Sequence, residues 1–133
     1  QLVNQNSLRE HVVFLGRVEH YDMPAIFQIS DVFAMPNRQL ANGDVEGFGI
    51  VFLEANLFGK PVVGGRNGGV PEAIKDEQTG LLVDPLDEDD IAAKIIRLLN
   101  DEPYAHKLGL QGLERASNFD WQDSVEVIKQ LLK

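Results

Sequence analysis

The chain contains no cysteine. Disulfides and thiolate metal sites are therefore excluded, and the composition is compatible with the cytosol. Basic residues are scarce as well. Twelve Lys and Arg stand against 21 Asp and Glu, giving a formal net charge of −9. Binding a phosphate backbone takes a surplus of cations, so nucleic acid is not an expected partner. Docking of this acidic piece on anionic lipid is disfavoured for the same reason. Long apolar runs are missing too, and none approaches the roughly 20 residues of a membrane-spanning helix. No signal-peptide pattern opens the chain, which begins without Met on QLVNQNSLREH. That opening reads as the tail of a helix and suggests a piece cut from a larger protein. Any phosphate ligand must be held locally, by backbone donors or a few placed cations.

What is present is enough for one domain and one hydrophobic core: 133 residues, 44% hydrophobic and 25% charged. HVVFLG (11–16) is a β-branched and aromatic run closed by glycine, which predicts a buried strand. DMPAIFQIS (22–30) follows at helical spacing, with Asp22 as N-cap and Pro24 in the first turn. DVFAMP (31–36) predicts a second strand, and NRQLANGDVEG a polar loop. A helix is expected from about Gly49 to Phe58, stopped by Gly59 and Pro61. PVVGG and TGLLVD predict two further strands around a short VPEAIKD helix. Three helical segments close the chain: DEDDIAAKIIRLLND, PYAHKLGLQGLERA, and DWQDSVEVIKQLLK with Trp121, Val125, Ile128 and Leu132 on one stripe. Strands alternating with helices predict an α/β fold with a Rossmann-like parallel sheet covered on both faces. Four strands are few for such a sheet, which again suggests a missing N-terminal portion.

Eight of the twelve glycines fall between Gly43 and Gly69. In an open parallel sheet, ligands bind beyond the carboxyl ends of the strands, where these loops sit. EGFGI runs straight into a helix, whose first N–H groups and dipole make an anion site without a basic side chain. Glu46 precedes that helix, and Glu54 follows one turn or so within it, tilted back toward its start. Carboxylates do nothing for a phosphate but accept hydrogen bonds from sugar hydroxyls. The pair therefore points to a phosphorylated sugar or a nucleotide-sugar. Taken singly, Glu46 is equally a solvated loop acid and Glu54 an early-turn acid favoured by the dipole.

The ordered series EGFGIVFLEA, GKPVV, GGVPE and TGLLV resembles the C-terminal, donor-binding domain of retaining glycosyltransferases of the GT-B fold (glycosyl transferases group 1). FLGRVEHYDMPAIFQISDVFAMP and FDW resemble the flanking family segments, so the likeness covers nearly the whole chain. FAMPNRQ and DVEGFGIVFLEA look most like the phosphatidylinositol mannosyltransferase branch, which uses GDP-mannose, though transferases of UDP-sugars share much of it. The resemblance implies that Glu46 is the catalytic acid that meets the transferred sugar. It implies that Gly47, Phe48, Gly49 and Ile50 meet the sugar and diphosphate, that Glu54 holds the ribose, and that Gly16, Arg17 and Val18 contact the base. It also implies that residues 1–133 are part of a nucleotide-sugar-binding C-terminal domain. The first strand and loop of that domain, with its basic pair, and the acceptor-binding N-terminal domain would lie upstream.

The expected partner is thus a GDP- or UDP-linked sugar, with a sugar, lipid or glycan acceptor reached through the other domain. The intact hexosyltransferase would be cytoplasmic or peripheral at the inner face of the membrane. The truncated piece would be inactive alone and exposed to self-association. No cofactor or metal is expected. Asp87–Asp89 reads DED, but the helix that follows makes capping the simpler role. Arg38 and Arg66 lie in loops beside the pocket, within reach of phosphate or simply solvated. Lys60 suits the carboxyl end of its own helix, Glu72 a helix start, and His11, His20 and His106 show no ligand spacing and read as surface or packing residues. The alternatives are a non-catalytic nucleotide-sugar-binding module and another GT-B enzyme. Of the latter, an epimerase fits; a phosphorylase would need a pyridoxal-bound lysine, for which GKP offers no context.

Overall fold

A computed structural model of the chain describes residues 1–39, 43 and 47–119. Glu46 and the closing segment with Trp121, Val125, Ile128 and Leu132 lie outside the described residues. The sheet has three parallel strands in the order β1 (Phe33–Met35), β2 (Val62–Gly65) and β3 (Gly80–Val83). Val62 stands opposite Phe33 on one side and Gly80 on the other. Parallel neighbours need crossovers, and α3 (Ile50–Leu57) and α4 (Val70–Ala73) supply them. α1 (Leu2–Gln5) and α2 (Met23–Ile29) precede the sheet, while α5 (Glu88–Asn100) and α6 (Glu102–Ser117) follow it.

Every residue of β2 and β3 is buried, as their unbroken apolar runs require of strands covered on both faces. Alternation divides their side chains between two cores. Val62 and Leu82 pack with Phe27 of α2, Phe52 and Ala55 of α3, and Val70 and Ala73 of α4. Val63, Leu81 and Val83 pack on the other face with Leu98 of α5 and Leu108 of α6. Burial of each Val, Leu or Phe side chain among them contributes about 1.5–3 kcal/mol. The α/β expectation is met.

The strand expected over 11–16 is not formed. Val13, Phe14 and Leu15 are exposed, Phe14 by 81%, and the segment pairs with no described strand. A β-branched run becomes a strand only where another strand takes up its backbone donors and acceptors. The sheet accordingly has three strands among the described residues and not four.

Two helix ends also differ from expectation. Asp22 precedes α2, but its side chain makes no capping bond. A 3-10 turn over His20–Asp22 runs into the helix, and Asp22 already has helical dihedrals (φ −91°, ψ −17°). A capping side chain needs the extended backbone that this turn removes. Lys60 follows α3, yet its Nζ donates to the carbonyl of Gln28 in the last turn of α2 (3.0 Å). Its charge complements a helix end as expected, but the end belongs to the neighbouring helix.

α3 is held from beneath by Asn56, which is fully buried. Its Nδ2 donates to the carbonyls of Lys60 (2.9 Å) and Thr79 (3.3 Å), tying α3 to the segment before β3. Gly112 of α6 lies directly against the same amide, leaving no room for a Cβ. The helix that starts at EGFG is therefore a fixed element.

Candidate functional site

The carboxyl ends of β1, β2 and β3 open onto one side of the molecule. Gly49 starts α3 in the left-handed region (φ 80°, ψ 50°), which glycine adopts without a Cβ penalty. That conformation turns the chain from the loop into the helix. Among the described residues no side chain caps α3, and its first turn holds no acid. Of the N–H groups of Ile50, Val51 and Phe52, the last donates to the Gly49 carbonyl (3.0 Å). Downstream, α4 is also uncapped but carries Glu72 in its first turn, and α6 carries Glu102 behind the Asp101 cap. α5 carries Glu88, Asp89 and Asp90 in its first turn, and Asp87 accepts from the N–H groups of Asp89 (3.0 Å) and Asp90 (3.1 Å). The DED sequence is thus a helix cap, as expected.

The β2–α4 loop supports the open start of α3. Gly69 lies so close to the Gly47 carbonyl and the Phe48 Cα that a Cβ would collide with backbone. GGVPE and EGFGI, separate in sequence, are one packed unit in space. Phe48 turns its ring toward Phe119 (centroids 5.4 Å apart), so at this position the side chain packs while the backbone lines the turn.

Glu54 sits one turn into α3, half-buried. It lines a groove of ≈ 180 Å³ between α2 and α3, with His20, Met23, Pro24, Phe27, Leu57 and Phe58. Phe27 and Phe58 stack in its floor (5.7 Å), and Phe33 meets Phe27 edge-on (5.6 Å). Gly16, Arg17 and Val18 lead into the 3-10 turn that carries His20 to this groove. Gly16 has positive φ, and Arg17 is largely exposed and paired with Glu19 (3.3 Å).

Arg38 and Arg66 meet in a second, larger cleft of ≈ 570 Å³, with Asn67, Asp84, Pro85 and Leu86 at the ends of the strands. Arg66 is held by Asp76 (2.5 Å) while staying half-exposed. Burial of Asp76 opposes ionisation, but the Leu82 N–H and the Arg66 guanidinium outweigh it and hold its carboxyl below the usual aspartate range. Asn67 donates to the Asn37 carbonyl (2.9 Å), joining the ends of β1 and β2.

The structure therefore brings Gly47–Ile50 and Glu54 onto one helix and its approach, and Arg38 with Arg66 into a neighbouring cleft. Sequence reasoning missed His20 and Asn67. Only the polar composition of their loops could have signalled them. Among the described residues no group of three His, Asp or Glu could hold a metal ion, and no helix is long and apolar enough to cross a membrane.

Comparison with known proteins agrees with this α/β fold. The family model for glycosyl transferases group 1 matches residues 1–115. A GDP-mannose-dependent alpha-(1-6)-phosphatidylinositol monomannoside mannosyltransferase of Mycolicibacterium smegmatis is 40% identical over 99% of this chain, which covers 35% of that protein. A D-inositol 3-phosphate glycosyltransferase of Corynebacterium diphtheriae is 33% identical over 98% of the chain and 29% of that protein. Among solved structures, sucrose-phosphate synthase from Thermosynechococcus elongatus superposes with a TM-score of 0.81 at 32% identity, over 98% of this chain and 32% of that one. Anabaena HepE in complex with UDP and glucose gives 0.81 at 27% identity, over 98% and 34%. The chain thus spans about a third of the length of these relatives. On the match to most of its length, this chain belongs to the glycosyl transferases group 1 family.

Proposed function

We propose that this chain is the donor-binding part of a hexosyltransferase, moving a sugar from a nucleoside diphosphate to an acceptor hydroxyl with retention at the anomeric carbon. One observation carries the reading: an uncapped, acid-free helix start on a left-handed glycine, with Glu54 one turn along and lining a groove. The N–H groups of Ile50 and Val51 and the dipole of α3 would receive the diphosphate and stabilise it as leaving group. Glu54 would accept hydrogen bonds from the ribose hydroxyls, and the backbone of Gly47–Gly49 would line the sugar. Glu46 would contact the transferred hexose as the catalytic acid, and Gly16, Arg17 and Val18 would border the base. Arg38 and Arg66 would add positive charge beside the phosphates. The named mannosyltransferase relatives favour GDP-mannose as donor, and the UDP-bound neighbour makes UDP-sugars the second choice. The acceptor would be met by parts of the protein outside these residues, on the cytoplasmic side of a membrane if it is a lipid.

The test is titration of the full-length protein with GDP-mannose and UDP-glucose, with Glu54→Gln beside the wild type. A charge-assisted acceptor is worth about 1.5–3 kcal/mol, so the variant should bind the preferred donor at least tenfold more weakly. Unchanged affinity would return Glu54 to a structural role. A non-catalytic module would bind the donor equally well, and separates from the enzyme by showing no transfer to any hydroxyl acceptor.

A further inference from the structure

Glu54 does not face its groove alone. His20 stands at the rim of the same groove. Its backbone is fixed as the first residue of the 3-10 turn, where its carbonyl accepts the Met23 N–H. It is exposed, and among the described residues its ring forms no hydrogen bond or ion pair. The remaining lining is apolar, from Met23 and Phe27 of α2 to Leu57 of α3 and Phe58 just beyond it. Among the described residues, two side chains around the groove can therefore hydrogen-bond, and they differ in kind. The carboxylate accepts only and suits hydroxyls. A neutral imidazole offers one donor and one acceptor, the pattern that reads the edge of a heterocycle.

The order of these features along α3 matters as well. Ile50, Glu54 and Phe58 succeed one another by about 6 Å each at helical rise. A molecule laid along the helix meets open N–H groups, then a carboxylate, then an aromatic floor with His20 at its rim. Phosphate, hydroxyls and flat base occur in that order in a nucleoside diphosphate. We infer that His20 is a specificity-determining residue that hydrogen-bonds the base of the nucleotide whose ribose Glu54 holds. This inference rests on the donor-site reading above.

The experiment titrates the full-length protein with GDP, UDP and ribose 5-phosphate, comparing wild type, His20→Ala, His20→Gln and Glu54→Gln. His20→Ala should weaken the preferred nucleotide roughly 3- to 10-fold, narrow the GDP/UDP preference, and leave ribose 5-phosphate unchanged. His20→Gln, which keeps a donor and an acceptor, should recover part of the loss. Equal losses for all three ligands, or no loss for any, would overturn the inference while Glu54→Gln still weakens all three. If Glu54→Gln also changes nothing, the donor-site reading falls and this inference falls with it.

Discussion

Gly69→Ala is the most direct probe of how the site is built. Gly69 has φ −85° and ψ 0°, a conformation open to any residue, so alanine brings no backbone strain of its own. Its whole effect is steric. The added Cβ would meet the Gly47 carbonyl and the Phe48 Cα, both backbone and neither able to swing aside. The β2–α4 loop and the approach to α3 must then separate. Overpacking of this kind costs about 1–3 kcal/mol. For a domain of this size that lowers Tm by roughly 3–6 °C per kcal/mol. The Gly47–Gly49 backbone would shift with it, so donor affinity should fall by more than the stability loss explains. Gly47→Ala is the matched control for folding, because a Cβ there meets nothing within 4 Å. The assays are thermal and urea unfolding of both variants, followed by nucleotide titration at a temperature where each is folded. A Gly69→Ala protein with wild-type Tm and wild-type affinity would refute the claim that the two loops form one packed unit.

Two further outcomes follow from helix ends and ion pairs away from the groove. Asp87→Ala removes the side chain that accepts from Asp89 and Asp90 N–H; it should cost about 0.5–2 kcal/mol in urea unfolding without changing donor affinity. Asp76 has a folded pKa below its ordinary value, since the Leu82 N–H and Arg66 favour its charged form despite burial. Its contribution to stability is therefore complete at neutral pH and is lost as pH falls below the unfolded value, through the folded pKa. Urea unfolding from pH 7 to 3 should show a smaller acid-dependent loss in Asp76→Asn than in wild type, and identical slopes would remove Asp76 from the account.

The fold was legible where a segment's pattern agreed with its surroundings. PVVGG and TGLLV read as doubly covered strands because their neighbours lie within the chain, and both became fully buried. HVVFLG carried an equally strong pattern but no described strand pairs with it, so propensity alone did not make a strand. The start of α3 was legible because an anion site of backbone donors needs glycine where the chain enters the helix, and EGFGI shows that in letters. His20 was not. Its place beside Glu54 depends on how α2 packs against α3 across more than thirty residues, which local spacing cannot express. Asp22 failed as a cap for a related reason: it closes a tight turn that takes the backbone conformation capping requires.

The open start of α3 yields a test in which stability and binding move in opposite directions. Ile50 is the first helical residue and is 52% exposed. A carboxylate there interacts favourably with the helix dipole, and relative to a neutral residue it should stabilise the fold by about 0.3–1 kcal/mol. Ile50→Gln supplies that neutral reference and carries the cost of losing a partly buried isoleucine. Ile50→Glu should therefore unfold at a higher temperature than Ile50→Gln. Toward a diphosphate the same charge acts in the other sense. A unit charge about 6 Å from a phosphate charge costs roughly 0.7–3 kcal/mol, between solvent-like and protein-surface dielectric values. Donor affinity of Ile50→Glu should thus fall below that of Ile50→Gln by roughly 3- to 100-fold, with part of the gap closing as salt is raised. If the glutamate variant is both more stable and equally competent to bind GDP and UDP, the phosphates do not sit on this helix, and the anion site must be sought at the Arg38 and Arg66 cleft instead.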